Sequence, residues 1–213
     1  DEKISLLTGF TGFSTHPIPR LNVPEFGMTD GPHGVTPHSA FGTENTYFPA
    51  TVGLAASWDP ELLHQYGQAL AEEVRAVGRH SILAPGINIH RTPLCGRNFE
   101  YFTEDPYLNA KLVVPMIKGI QEKRIAACVK HFVCNNAEKR RRFSNSVVDE
   151  RALEEIYFPG FKAAISEGDA WMVMGSYNKV NGDYVYVKED LLKGKLREEW
   201  GFRGFVVSDW KAT

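Results

Sequence analysis

Short apolar runs rich in β-branched residues alternate along the chain with longer stretches in which apolar residues recur every three or four positions. The first kind reads as strands buried on both faces and the second as amphipathic helices, so the alternation predicts βα units around a parallel sheet. The predicted strands are EFGMTD (25–30), TVGLAAS (51–57), SILAPGINI (81–89), AACVKHF (126–132), WMVMGSY (171–177) and GFVVSDW (204–210). Helices are predicted over 60–78, 107–123, 149–167 and 188–200. Asp59-Pro60 and Asp105-Pro106 each offer an N-cap followed by proline in the first turn, and Gly78, Gly168 and Gly201 stand where a glycine closes a helix. Residues 31–49 follow neither period and read as a long loop, of the kind that lines a site or closes over one. No repeat or linker divides the chain, so residues 1–213 are expected to form a single domain.

Polar residues collect where the apolar runs end. Asp30 follows GMT, Arg91 and Arg97 follow APGINI, Lys130 and His131 close AACV, Tyr177 closes MVMGS, and Asp209 closes FVVS. In a parallel α/β barrel all these strand ends open on one face, where side chains from several strands meet in one pocket.

Composition narrows the partner. A net charge of -2 gives no electrostatic footprint for nucleic acid or an anionic membrane, and no apolar run approaches the length of a membrane span. Three cysteines, Cys95, Cys128 and Cys134, form no disulfide framework, and no Asn-x-Ser/Thr acceptor or leader-like first segment occurs. These features favour a cytoplasmic over a secreted location. At 213 residues the chain lies at the bottom of the range for a complete barrel. It begins at Asp1 and stops at Thr213, just after an apolar run, so both ends read as cuts in a longer polypeptide.

The side chains themselves suggest sugar chemistry. Asp, Lys, His, Arg and Tyr offer many hydrogen-bonding groups for a hydroxyl-rich ligand, and Trp210 can stack on a pyranose face. Asp209 sits at the end of a rigid element, and nearby Lys and Arg are expected to lower its pKa and hold it ionised, as a nucleophile requires. Glycoside chemistry ordinarily needs a second carboxylate as general acid. A Schiff-base role for Lys130 lacks a phosphate-binding glycine turn beside it. The scattered histidines show no zinc motif, and no G-x-S-x-G elbow, P-loop or dinucleotide motif is present. The run Lys139-Arg140-Arg141-Arg142 reads as a solvated loop.

The blocks MTDGPHGV, FPATVGLAASWDPEL, LAPGINIHRTPLCGRNFEYFTEDP, VKHFVCNN, VDERALEEIYFPGF, SYNKVNG and WGFRGFVVSDW resemble the N-terminal domain of glycoside hydrolase family 3, in its β-glucosidase branch. The resemblance spans nearly the whole chain. It implies an α/β fold, a (β/α)8 TIM-barrel-like domain incomplete at its C-terminal end, and a retaining, exo-acting β-glycosidase with no metal or organic cofactor. By the same resemblance Asp209 is the nucleophile, Lys130, His131, Asp30 and Arg97 hold the glycone, Tyr177 flanks the nucleophile, and Trp210 lies towards the aglycone. The implied substrate is a small oligosaccharide or an aryl or alkyl glucoside.

Relatives acting on N-acetylglucosamine carry a KHFPGHG-type block with a second histidine. KHFVCNN here points instead to a glucosidase or a related xylosidase. Many family β-glucosidases place a basic residue after DGPxGV, where this chain has Thr36 followed by Pro37. The family's general acid, usually a glutamate, lies downstream, so the expected partner is the missing C-terminal part of the same enzyme. Glu100 and Glu104 read as loop or salt-bridge groups. The alternative class is a barrel fragment that binds sugar or serves structure without turnover.

Overall fold

The computed structural model describes residues 1–36 and 44–212. Five parallel strands, β1 (Met28–Asp30), β2 (Ser81–Leu83), β3 (Ala126–Phe132), β4 (Met172–Gly175) and β5 (Phe205–Ser208), lie side by side in chain order. The crossovers carry α1 (Pro60–Ala76), α2 (Pro106–Glu122), α3 (Pro159–Ser166) and a wide, π-type helix over Asp190–Glu199. The sheet curls, bringing Phe26, just before β1, within 5.5 Å of the Phe205 ring on β5. This is the expected (β/α)8-like architecture in incomplete form.

The helix starts follow the sequence. Asp59 Oδ1 accepts from the amides of Glu61 (2.9 Å) and Leu62 (3.1 Å), and Asp105 Oδ1 from those of Tyr107 (2.7 Å) and Leu108 (3.2 Å). Gly78 and Gly201 take left-handed φ of 70° and 73°, as helix-closing glycines do. Near Gly168 the left-handed residue is Asp169 instead, at φ 48°.

Several expected elements are corrected. TVGLAAS is not a strand: Thr51–Ala55 is a short helix that buries Thr51, Leu54 and Ala55, a three-and-four spacing that also fits the run's small residues. The strand expected over 81–89 ends at Leu83, before Ala84-Pro85, because proline has no N–H to continue the ladder. The helix expected over 149–167 breaks into Glu150–Ala152, a π-type turn over Leu153–Tyr157, and α3, which restarts at Pro159. The expected loop over 31–49 falls partly outside the described residues, as does Pro37.

Side-chain alternation builds two cores. On β3, Ala127 and Val129 face the helices, joining Ile82, Val173, Leu70 and Met116, while Ala126 and Cys128 face the barrel interior with Met28, Leu83, Met172 and Met174. α1 and α2 cross closely because Gly67 and Gly119 lack side chains; a Cβ on either would strike the other helix's backbone. An N-terminal hairpin, Gly9–Thr11 with Ser14–Thr15, was not anticipated. It lies along β1, where the Met28 amide donates to Phe13 O at 2.7 Å.

Candidate active site

The interior alternation continues past the last apolar rung of three strands. Met28 is followed two residues on by Asp30, Cys128 by Lys130, and Val207, packed on the interior cluster, by Asp209. All three reach one cavity of about 540 Å³ at the carboxyl ends of the strands, together with Arg97, His131 and Trp210.

His131 should face outward by strict alternation. Instead the β3–β4 register slips between Lys130 and Phe132, at the cis Lys130–His131 peptide, and both side chains reach the cavity. Asn88 fixes this segment: its amide nitrogen donates to His131 O (3.0 Å) and its oxygen accepts from the His131 amide (2.9 Å).

At the end of β5, the Asp209 amide donates to Tyr186 Oη at 2.9 Å, and the Trp210 amide donates to Asp209 Oδ1 at 2.9 Å. Tyr186 can sit there because Gly175, at the end of β4, has no Cβ to meet its ring. The Tyr177 hydroxyl lies 2.7 Å from Trp210 O and beside Asp209, and its one hydrogen favours the ionised carboxylate when it is turned to Asp209. Asp209 Oδ2 faces His131 Nε2 across 3.9 Å.

Burial raises the Asp209 pKa above the usual carboxylate value, although the Trp210 amide, Tyr177, Lys130 and Arg97 oppose it. This reverses the expected lowering. The cations are engaged elsewhere: Lys130 Nζ donates to Asp30 Oδ1 at 3.0 Å, and Arg97 pairs with Glu100. Burial also disfavours ionised Asp30, but Lys130 more than compensates and Asp30 lies below its ordinary value. For Lys130, burial is outweighed by Asp30 and Glu100, so it stays charged.

Burial, followed by the charges of Arg97, Lys130 and Arg141, holds His131 well below the usual imidazole range, hence neutral. Donor accounting favours the Nε2–H tautomer. Asn135 Nδ2 donates to Tyr101 Oη at 3.2 Å, so the Tyr101 proton is available to His131 Nδ1, 3.1 Å away. The other nitrogen, Nε2, then carries its hydrogen into the cavity. Tyr101→Phe is expected to remove this preference, with the ring-nitrogen NMR signals of His131 moving towards a tautomer mixture. Unchanged signals would refute the relay.

The structure thus brings Asp30, Arg97, Lys130, His131, Asp209 and Trp210 together, with Tyr177 behind Asp209. Arg91, by contrast, is exposed over the Tyr157 ring, 5.8 Å from its centroid. Glu100 is buried and paired with Arg97. Thr36 anchors the Asp30 turn, its hydroxyl donating to Asp30 O at 2.8 Å.

Sequence reading missed Arg141, which lines the cavity, pairs with Glu138 at 2.8 Å and stands 4.5 Å from the Tyr177 ring centroid. Within four consecutive basic residues nothing distinguishes it. Gly12 and Phe13 also line the cavity and were missed. Among the described residues, no group of three or more His, Cys, Asp or Glu is placed to hold a metal ion.

Fold and site together define a parallel-barrel domain with a polar ligand cavity and a buried carboxylate at the strand ends. The chain belongs to glycosyl hydrolase family 3: residues 14–213 match the family's N-terminal domain. It is 46% identical over its whole length to thermostable β-glucosidase B of Acetivibrio thermocellus, covering 29% of that protein. It is 45% identical over 99% of its length to a β-glucosidase of Rhizobium radiobacter, covering 26% of that one. Among solved structures, β-glucosidase 3B of Thermotoga neapolitana in complex with glucose superposes with a TM-score of 0.92 at 45% identity, over 98% of this chain and 32% of that one. The β-glucosidase of Kluyveromyces marxianus in complex with glucose gives 0.97 at 43%, over 100% and 26%. The chain therefore spans less than a third of the length of these curated relatives.

Proposed function

We propose that this chain supplies the glycone pocket and the nucleophile of a retaining, exo-acting β-glucosidase. The observation that carries this reading is the convergence of Asp209 with Asp30, Lys130, His131 and Arg97 on one cavity. The names of the relatives, and the glucose in both solved structures described above, support the choice of sugar.

In this mechanism Asp209 Oδ1 is held by the Trp210 amide, leaving Oδ2 to attack the anomeric carbon. The new C–O ester bond forms as the glycosidic C–O bond breaks, and the departing oxygen takes a proton from a general acid. Water then cleaves the ester and returns the carboxylate. Lys130, the neutral His131 Nε2–H and Arg97 donate to sugar hydroxyls, and Asp30 accepts. The general acid is assigned outside this chain, because the other cavity carboxylate, Asp30, is kept ionised by Lys130.

Kinetics of Lys130→Ala in the protein as encoded test the assignment. Loss of a charge-assisted hydrogen bond, about 1.5–3 kcal/mol, is expected to lower kcat/KM for glucosides roughly 10- to 100-fold. A folded variant with unchanged kinetics would reject the glycone role.

A further inference from the structure

One carboxylate stands behind the strand-end cavity and touches two lines of contact that lead into it. Glu138 Oε2 accepts from Arg141 Nη1 at 2.8 Å, and Arg97 Nη1 lies 3.9 Å from Oε1, so both cavity arginines share this partner. Oε1 also accepts from Asn135 Nδ2 at 3.2 Å. The second hydrogen of that amide goes to Tyr101 Oη, 3.2 Å away, and Tyr101 Oη stands 3.1 Å from His131 Nδ1. Asn135, Tyr101 and His131 are all buried, so bulk water has little access to these groups. The direction of the Asn135 amide is the informative feature. Its Oδ1 is buried and has no hydrogen-bond partner among the described residues. Turned over, the amide would offer Oδ1 to the Tyr101 hydroxyl, which could donate to it. Glu138 opposes that turn, because a carboxylate only accepts and oxygen would then face oxygen.

We propose that Glu138 is a positioning residue: by holding the Asn135 amide one way round, it directs the hydrogen bonds of Asn135, Tyr101 and His131 so that the Nε2–H of His131 points into the cavity. Each link hands on a direction. Glu138 fixes the Asn135 donors, Asn135 fills the acceptor side of Tyr101 Oη, and Tyr101 gives its one hydrogen to His131 Nδ1. Burial keeps His131 neutral, so a hydrogen on one ring nitrogen excludes it from the other. The Nε2 hydrogen then faces Asp209 Oδ2 across 3.9 Å. It also faces the sugar hydroxyls, and this catalytic consequence rests on the glucosidase reading above. The orphaned Asn135 Oδ1 thereby finds its reason: satisfying it would reverse the chain of donors.

Glu138→Gln in the protein as encoded is the decisive variant. Arg141 needs an acceptor and takes the new amide oxygen, which turns the amide NH2 towards Asn135. Asn135 then presents Oδ1, Tyr101 donates to it, and His131 Nδ1 becomes the donor to Tyr101. The tautomer is therefore expected to reverse, as read from the ring-nitrogen NMR signals of His131 without ligand. His33, whose Nε2 accepts from the Thr51 amide at 3.2 Å, is an internal reference and should not move. Unchanged His131 signals would overturn the assignment, as would a shift of both histidines together. Should Glu138→Gln fail to fold, Asn135→Ala serves: with nothing to direct Tyr101, His131 should become a tautomer mixture, and a retained single Nε2–H form would overturn the assignment. In kinetics, Glu138→Gln is expected to lower kcat/KM for an aryl β-glucoside roughly 3- to 10-fold, as loss of one hydrogen bond to the substrate would. A reversed tautomer with turnover unchanged would overturn the positioning role. A wild type that hydrolyses no glucoside defeats the glucosidase reading, whereas the tautomer result is decided on its own signals.

Discussion

Asp209→Asn is expected to remove nearly all glycoside turnover, by roughly 10³-fold or more, and at the same time to raise the melting temperature at neutral pH. The first effect follows because an amide cannot form the glycosyl ester on which the proposed route depends. The second follows from burial, which lifts the Asp209 pKa in the fold. A carboxyl whose folded pKa lies above its unfolded value stabilises the fold fully below the unfolded value, and that contribution is lost as pH rises through the folded one. At neutral pH the wild type therefore carries the cost of a buried anion that asparagine avoids, and the advantage of the variant should shrink on acidification below the ordinary carboxylate range. Calorimetry across pH checks the sign. Peptide mapping after treatment with a fluorinated glycoside checks the role, and a label on any other residue would reject Asp209 as nucleophile.

Residues 1–213 produced alone are expected to hydrolyse an unactivated disaccharide negligibly and to unfold readily. β5 is far less covered than its neighbours: Phe205 is 43% exposed, whereas every residue of β3 and β4 is buried. A parallel edge left so open forfeits burial comparable to the ~5–15 kcal/mol that holds a domain together. With the general acid placed elsewhere, as proposed above, chemistry is expected to fail separately, since general-acid catalysis contributes about 10²- to 10⁴-fold. An aryl glucoside whose leaving group hardly needs a proton is the most sensitive probe. Ordinary turnover of cellobiose by the fragment would place the acid within these residues.

Much of this site was legible because a strand's period of two is unforgiving. Once MTD, AACVK and FVVSD are read as strands with apolar interior positions, Asp30, Lys130 and Asp209 fall on the interior rung above them. TVGLAAS misled for the opposite reason: its alanines and glycine suit either period, and only the burial of Thr51, Leu54 and Ala55 reveals a helix. Arg141 and Phe13 reach the cavity by long-range placement of a loop and a hairpin, which no local pattern encodes. The direction of the Asp209 shift was hidden too, because a sequence records that lysine is near without recording that Asp30 already holds it.

The layered barrel interior has a bearing on how such a cavity can change over generations. Met28, Cys128 and Val207 belong to the packed rung, and Asp30, Lys130 and Asp209 to the rung directly above it. Substitutions on the upper rung change the cavity lining without opening voids below, so new ligand preferences can be explored while the foundation stays intact. Insertions within a strand have no such freedom. Adding one residue between Met28 and Thr29 would turn the Asp30 carboxylate towards the helices and Thr29 towards the cavity. Diversification in this architecture is thus channelled into point changes at strand tips and into the loops that follow them, while strand lengths stay fixed.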